Sequence, residues 1–210
     1  MGPAISAIVA TAVFTGKSGL VDLLQRVINL KIGGIWYLVL LGSVLLIGFG
    51  LLTSSKPEDF LTYSGAGNWG LLVIPYVFIL NGFGEEIGWR GLLVDELLKK
   101  YSLGVTAVVS WVVWGIWHIP LFWIVMNFLN LGIGGTVGWT LGLLAGSVFL
   151  TWMYTRSNRS ILLLAAWHTI FNFATATTAT AGVGAAVSST LVIIVALAII
   201  AFPSTWARRP

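Results

Sequence analysis

The chain has 210 residues, 58% of them hydrophobic and only 9% charged, with a mean hydropathy of +0.96. A soluble domain carries about 25% charged residues, so this composition excludes a water-soluble globule and predicts an all-α polytopic transmembrane helix bundle. The net charge of +4 sits in short loops and reads as membrane topology rather than nucleic-acid binding, and the lack of cysteine excludes disulfides, zinc–thiolate sites and cysteine nucleophiles.

Seven apolar segments follow one another within a single integral membrane domain, residues 1–210. A span needs about 20 apolar residues, with about 17 the usual lower limit. The first segment, residues 3–15, is short. The others cover residues 35–53, 69–93, 103–125, 134–154, 160–180 and 183–202. No ladder of period two occurs, which disfavours a β-barrel.

Between the first two segments, residues 16–34 carry Leu20, Leu23, Leu24, Val27 and Ile28 at helical spacing, with Asp22, Arg26 and Lys31 among them. They read as an amphipathic cytoplasmic connector lying on the membrane surface. Asp95, Glu96, Lys99 and Lys100 form two i,i+4 pairs, a structural signature of a solvated helical end beyond the third segment. Gly134, Gly138, Gly142 and Gly146 form a stripe on the fifth segment, and Gly84 and Gly88 do so on the third; both read first as close helix packing.

Lys17, Arg26, Lys31, Lys99, Lys100, Arg156, Arg159, Arg208 and Arg209 fall on one side of this arrangement, and only Lys56 on the other. By the positive-inside rule the larger set is cytoplasmic, with the C-terminus inside, as expected in the plasma membrane of a prokaryote. The first residue of the chain then lies outside, on a short segment. Two readings stand: seven spans with a short first helix, or eight with an upstream span missing from this chain.

Residues 81–90, Asn-Gly-Phe-Gly-Glu-Glu-Ile-Gly-Trp-Arg, put two carboxylates and a guanidinium at membrane depth. A charge at the bilayer centre costs about 2.5–3.5 kcal/mol on insertion scales and needs a partner or a wet cavity. Glu86 and Arg90 are i,i+4 neighbours in the favourable order. Glu85 points about 100° away from Glu86 on a helix and faces something else.

Both histidines of the chain, His118 and His168, lie inside apolar segments. His168 and Asn172 share one helix face at i,i+4. Pro120 is expected to leave a carbonyl near Ile116 unpaired and to kink the segment beside His118. Counted at about 1.5 Å per residue, Glu86, His118 and His168 fall in one slab, so one chamber open to the cytoplasm can hold Glu85, Glu86, His118, His168 and Asn172.

A carboxylate in such a site suits general-base activation of water, and histidine or amide groups can donate to an oxyanion or ligate a metal. The reaction suggested is attack by water on a peptide carbonyl. Ser43, Ser110 and Ser147 are not placed beside a histidine, mid-span aspartate is absent, and no His-Glu-x-x-His occurs, which disfavours serine, aspartyl and zincin-like mechanisms.

Glu85-Glu86-x-x-x-Arg90, then Trp114-x-x-x-His118, then His168-x-x-x-Asn172, together resemble the CPBP family of type II CAAX prenyl endopeptidases and bacteriocin-processing or Abi-type membrane proteins. Gly2-Pro3 and Trp36-Tyr37 look like the part of that family that follows its first span, which favours a missing upstream helix. The resemblance implies an intramembrane endopeptidase. Glu85 is then the base, Glu86 with Arg90 shapes the site, His118 assists with the water or a metal, and His168 and Asn172 stabilise the oxyanion. Trp114 stands where phenylalanine is more usual and is expected to line the site.

A metal-free glutamate mechanism that needs no cofactor is favoured. A Zn2+ ion held by His118, His168 and Glu85 is the alternative. The expected partners are a peptide or membrane-protein substrate and the lipid bilayer, with no nucleic acid. The competing functions are a non-catalytic protein of the same fold, such as a bacteriocin self-immunity factor or scaffold, and a small transporter, for which internal repeats are expected and none is visible.

Overall fold

The computed structural model describes residues 1–64 and 66–202; Arg208 and Arg209, used above for orientation, lie outside the described residues. The apolar runs form the helices α1 (Gly2–Phe14), α2 (Gly16–Val27), α3 (Gly34–Leu52), α4 (Gly70–Leu98), α5 (Leu103–His118), α6 (Gly132–Arg156), α7 (Ile161–Thr175) and α8 (Val183–Ala201). By length and apolar composition five helices can cross a membrane: α3, α4, α5 continued to Ile124, α6 and α8. α1 and α7 are shorter apolar helices. α3 turns Leu38, Leu41 and Leu45 outward, a cost in water and none in lipid. The protein is an all-α integral membrane bundle.

Local chemistry sets the helix starts. The Ser102 and Ser160 hydroxyls accept from the Val105 and Leu163 amides at 3.4 and 3.2 Å, the N-cap arrangement, at the heads of α5 and α7. The core lies where α4, α6 and α7 meet, around Val94, Leu150, Met153, Ile161 and Leu164, all fully buried. α1 packs on α4 at Gly88, where an added Cβ would lie 2.4 Å from Pro3 Cβ. α3 and α8 cross at Gly50 and Gly184, where a Cβ on Gly184 would lie 2.8 Å from Gly50 Cα. Between α3 and α4, a 3₁₀ turn at Pro57–Leu61 leads into a small hairpin, β1 (Thr62–Tyr63) with β2 (Gly67–Asn68).

α4 is not uniform. Its α-helical middle, Gly84–Gly88, is flanked by π-helical turns at Phe78–Phe83 and Trp89–Val94. A π turn bonds i to i+5, resets which face the following side chains present, and is frequent at functional sites.

Four expectations need correction. α7 stops at Thr175 instead of continuing to residue 180. There the Thr180 hydroxyl donates to the Phe173 carbonyl at 2.8 Å, and the Ser64 and Thr178 amides tie this turn to the hairpin strand. At Pro120 the regular bonding of α5 is interrupted after His118, while Ile119 and Pro120 stay right-handed helical and the segment resumes at Leu121–Ile124; the Ile116 carbonyl is not left unpaired, since it accepts from the Ile119 amide at 3.1 Å. The glycine stripe of α6 is a packing seam only at its end: a Cβ at Gly134, Gly138 or Gly142 meets nothing within 4 Å among the described residues, whereas Gly146 is buried with Trp114 3.8 Å from its Cβ position, and the first half of α6 packs on α5 through Trp139 instead.

The fourth correction concerns the end of α4. Lys99 pairs with Glu96 at i,i+3, 2.6 Å. Asp95 turns inward instead, accepting from the Tyr154 hydroxyl at 2.8 Å and pairing with Arg159 at 2.9 Å. Burial alone would lower the Arg159 guanidinium, but Tyr154, Asp95 and Asp22 outweigh it and hold the group above its ordinary range. Asn158 and Arg159 sit at φ 54° and 58°, the left-handed turn that aims Arg159 at this cluster.

Candidate active site

The middle of α4 gives its two glutamates different surroundings. Glu86 and Arg90 are both fully buried and pair at 2.9 Å. From α7, the His168 Nδ1–H donates to the same Glu86 oxygen, Oε1, at 2.7 Å. A carboxylate buried without partners would be strongly penalised; here a guanidinium and an imidazole share one oxygen. Glu86 is therefore a fixed hub joining α4 to α7.

Glu85 is half-buried and faces the other way. Its Oε2 accepts from the Trp114 indole N–H of α5 at 2.8 Å, and from the Trp89 indole, one turn on, at 3.4 Å. One oxygen is thus anchored, and the other, Oε1, is left without a hydrogen bond among the described residues.

Trp114 is the residue around which the site closes. Its ring lies 5.8 Å from His118, 5.7 Å from His168 and 4.7 Å from the Arg90 guanidinium carbon. The last is a cation–π contact that helps a buried guanidinium without adding a second charge. His118, half-buried, donates from Nδ1 to the Trp114 carbonyl at 2.7 Å. A carbonyl can only accept, so Nδ1 holds the proton and a neutral His118 has Nε2 free as an acceptor. Trp139 and Phe128 close over the same ring at 5.4 and 6.4 Å.

Glu85, Glu86, Arg90, His118 and His168 are thus gathered around one indole. Asn172 sits on α7 one turn beyond His168, half-buried, with no side-chain hydrogen bond among the described residues. Among the described residues no three His, Cys, Asp or Glu side chains gather in a group able to hold an ion, and each histidine turns its Nδ1 to a partner of its own.

Three groups escape sequence reasoning. Trp114 reads only as lining and Trp89 carries no sequence reading, yet both indoles are the donors that orient Glu85. The third is Tyr63 in the hairpin, whose hydroxyl accepts from the Asn81 amide at 3.1 Å. Burial pushes the Tyr63 phenol up, and the nearby Glu85 carboxylate pushes it further, so the hydroxyl stays protonated beside the site. No periodicity connects residue 63 to residue 81; only the folded-back hairpin does.

A buried carboxylate–guanidinium–imidazole hub beside a half-buried carboxylate, inside apolar helices, defines a polytopic membrane protein with a paired-glutamate site. Residues 66–174, about half of the chain, match the family described as type II CAAX prenyl endopeptidase Rce1-like, and the chain belongs to that family. It is also 28% identical over 158 residues to the CAAX prenyl protease 2 of Methanococcus maripaludis, covering 70% of this chain and 56% of that protein. The chain therefore spans about half the length of this curated relative.

Proposed function

We propose that this protein is an intramembrane endopeptidase in which Glu85 activates water for attack on a peptide carbonyl. The asymmetry of the two glutamates supports this most directly. Glu86 is sealed and twice paired, while Glu85 is half-buried, with Oε1 free of hydrogen bonds among the described residues and Oε2 held by indole donors. A general base needs that combination of orientation and access.

In this reading Oε1 of Glu85 takes a proton from water as the water oxygen bonds to the carbonyl carbon. His118 orients the water through Nε2. The oxyanion forms against the Nε2–H of a protonated His168, whose Nδ1–H donates to Glu86, and against the Asn172 amide, with the Glu86 carboxylate balancing the imidazolium charge. The proton passes from Glu85 to the leaving nitrogen as the C–N bond breaks. The seven apolar helices span the bilayer, the chamber opens to the cytoplasm, and the C-terminus is cytoplasmic. The substrate class is a peptide or membrane-protein segment, in keeping with the name of the relative. No cofactor is required.

The test is cleavage of a quenched fluorescent peptide panel by purified protein in detergent, for the wild type and Glu85→Gln, each with and without chelator. Cleavage by the wild type, insensitive to chelator and abolished in Glu85→Gln, is the expected result. Loss to chelator with recovery on adding zinc replaces the metal-free mechanism. Cleavage that survives in Glu85→Gln removes Glu85 as the base.

A further inference from the structure

The connector helix α2 reaches the site through Arg26, although the charge pattern marks Arg26 only as one of several cytoplasmic cations. It is 8% exposed. Its Nη1 donates to the Gly91 carbonyl at 2.7 Å and to the Tyr154 hydroxyl at 2.8 Å, while Nη2 pairs with Asp22 at 2.8 Å. Gly91 follows Arg90 directly and lies in the π-helical turn Trp89–Val94. That same turn carries the Trp89 donor to Glu85 and the Arg90 partner of Glu86.

The approach is close: a Cβ on Gly91 would lie 2.9 Å from Leu23 Cδ1 and 3.0 Å from Ile161 Cδ1. Leu23 and Arg26 are the buried residues of α2, one helical step apart, so the helix presents one face to this turn. A charge-assisted bond is roughly twice as strong as a neutral one, and here it fixes a backbone carbonyl inside the least regular part of α4.

We propose that Arg26 is a positioning residue for the paired-glutamate site, acting through the Gly91 carbonyl to hold the π turn that aims Trp89 and Arg90. The proposal rests on the endopeptidase reading for its kinetic consequence but not for its structural one. Asp22, Asp95, Arg159 and Tyr154 share the ionic cluster with Arg26, but among the described residues only Arg26 bonds to Gly91 from α2. A generic staple would weaken equally when any of these charges is removed.

The experiment compares Arg26→Gln, Arg26→Lys, Asp22→Asn and Arg159→Gln as full chains in detergent. Two readouts are taken: kcat and KM on the cleaved peptide, and hydrogen exchange of the 89–94 amides. Arg26→Gln is expected to lower kcat by about tenfold or more with KM changed less than about twofold, and to speed exchange across 89–94. Arg26→Lys, which keeps a donor, falls between it and the wild type. Asp22→Asn and Arg159→Gln stay within about twofold of the wild type in kcat, with 89–94 unchanged.

Equal effects of Arg26→Gln and Arg159→Gln on both readouts overturn the proposal. If Arg26→Gln does not fold, Arg26→Lys against Arg159→Gln decides on the same two readouts: a larger effect of Arg26→Lys supports the assignment and an equal one overturns it. If the wild type cleaves nothing, the endopeptidase reading fails, and the exchange of 89–94 still decides whether Arg26 holds this turn.

Discussion

Replacing Glu86 by Gln leaves the Arg90 guanidinium in a fully buried site without its counter-ion. Removing one partner of a buried pair costs about 3–5 kcal/mol, so Glu86→Gln is expected to unfold well below the wild type in a detergent thermal melt. Glu85→Gln keeps an acceptor for the Trp89 and Trp114 indoles and stays half-buried, so its stability should fall by no more than about 1 kcal/mol. Equal destabilisation of the two variants would contradict the division of roles drawn from their surroundings. This division is half-legible in the sequence. The i,i+4 spacing places Arg90 on Glu86 and leaves Glu85 facing elsewhere, which is how the structure has it. What Glu85 meets was not legible, because an indole N–H on another helix leaves no trace in spacing. Nor was the tie of His118 to its own helix backbone, which fixes the ring through the Trp114 carbonyl.

At the scale of the element, glycine has opposite consequences on two helices. Ala is favoured over Gly inside a helix by about 1 kcal/mol, so a glycine at open space is a latent gain. At Gly138 nothing lies within 4 Å, and Gly138→Ala should be neutral or slightly stabilising. At Gly88 the new Cβ would meet the Pro3 carbonyl oxygen at 2.8 Å and its carbonyl carbon at 2.7 Å. Backbone cannot swing aside as a side chain can, so α1 must move, and overpacking of that kind costs about 1–3 kcal/mol. Gly88→Ala should therefore lower the melting temperature and Gly138→Ala should not. Both glycines sit in similar small-residue patterns, so the sequence shows where a helix is able to come close and not whether one does. The helices themselves were legible because apolar runs of span length have few alternatives in lipid. The π turns of α4 were not: residues 78–83 and 89–94 have compositions any α-helix could carry, and their register is set by packing on α1, α2 and α7. The end of α7 was missed for a related reason, since the Thr177 and Thr180 hydroxyls bond within their own turn instead of extending the helix.

For the whole molecule, the two kinds of cation have to be separated before charge can orient the chain. Arg26 is buried and Arg159 is held in an ionic cluster, so both have structural reasons for their positions. The solvent-facing cations Lys17, Lys31, Lys99, Lys100 and Arg156 carry the orientation signal. In the proposed topology chain alternation puts them on one side and Lys56, next to the turn at Pro57–Leu61, on the other. The bundle alone is symmetric to this question, because no lipid leaflet is distinguished by helix packing; the positive-inside bias is what breaks the symmetry. The chain has no cysteine, so single substitutions report without any background thiol. In sealed inside-out vesicles an impermeant maleimide should label Lys31→Cys and Lys99→Cys and leave Lys56→Cys unlabelled until detergent is added. In right-side-out spheroplasts the pattern should invert. Labelling of Lys31→Cys and Lys56→Cys from the same side would mean that α3 does not cross the bilayer. Labelling of Lys56→Cys alone from the cytoplasmic side would turn the molecule over and put the mouth of the Glu85 chamber on the outer face. The first outcome removes a span and the second keeps every span and reverses access, so one set of vesicles separates an error in topology from an error in orientation.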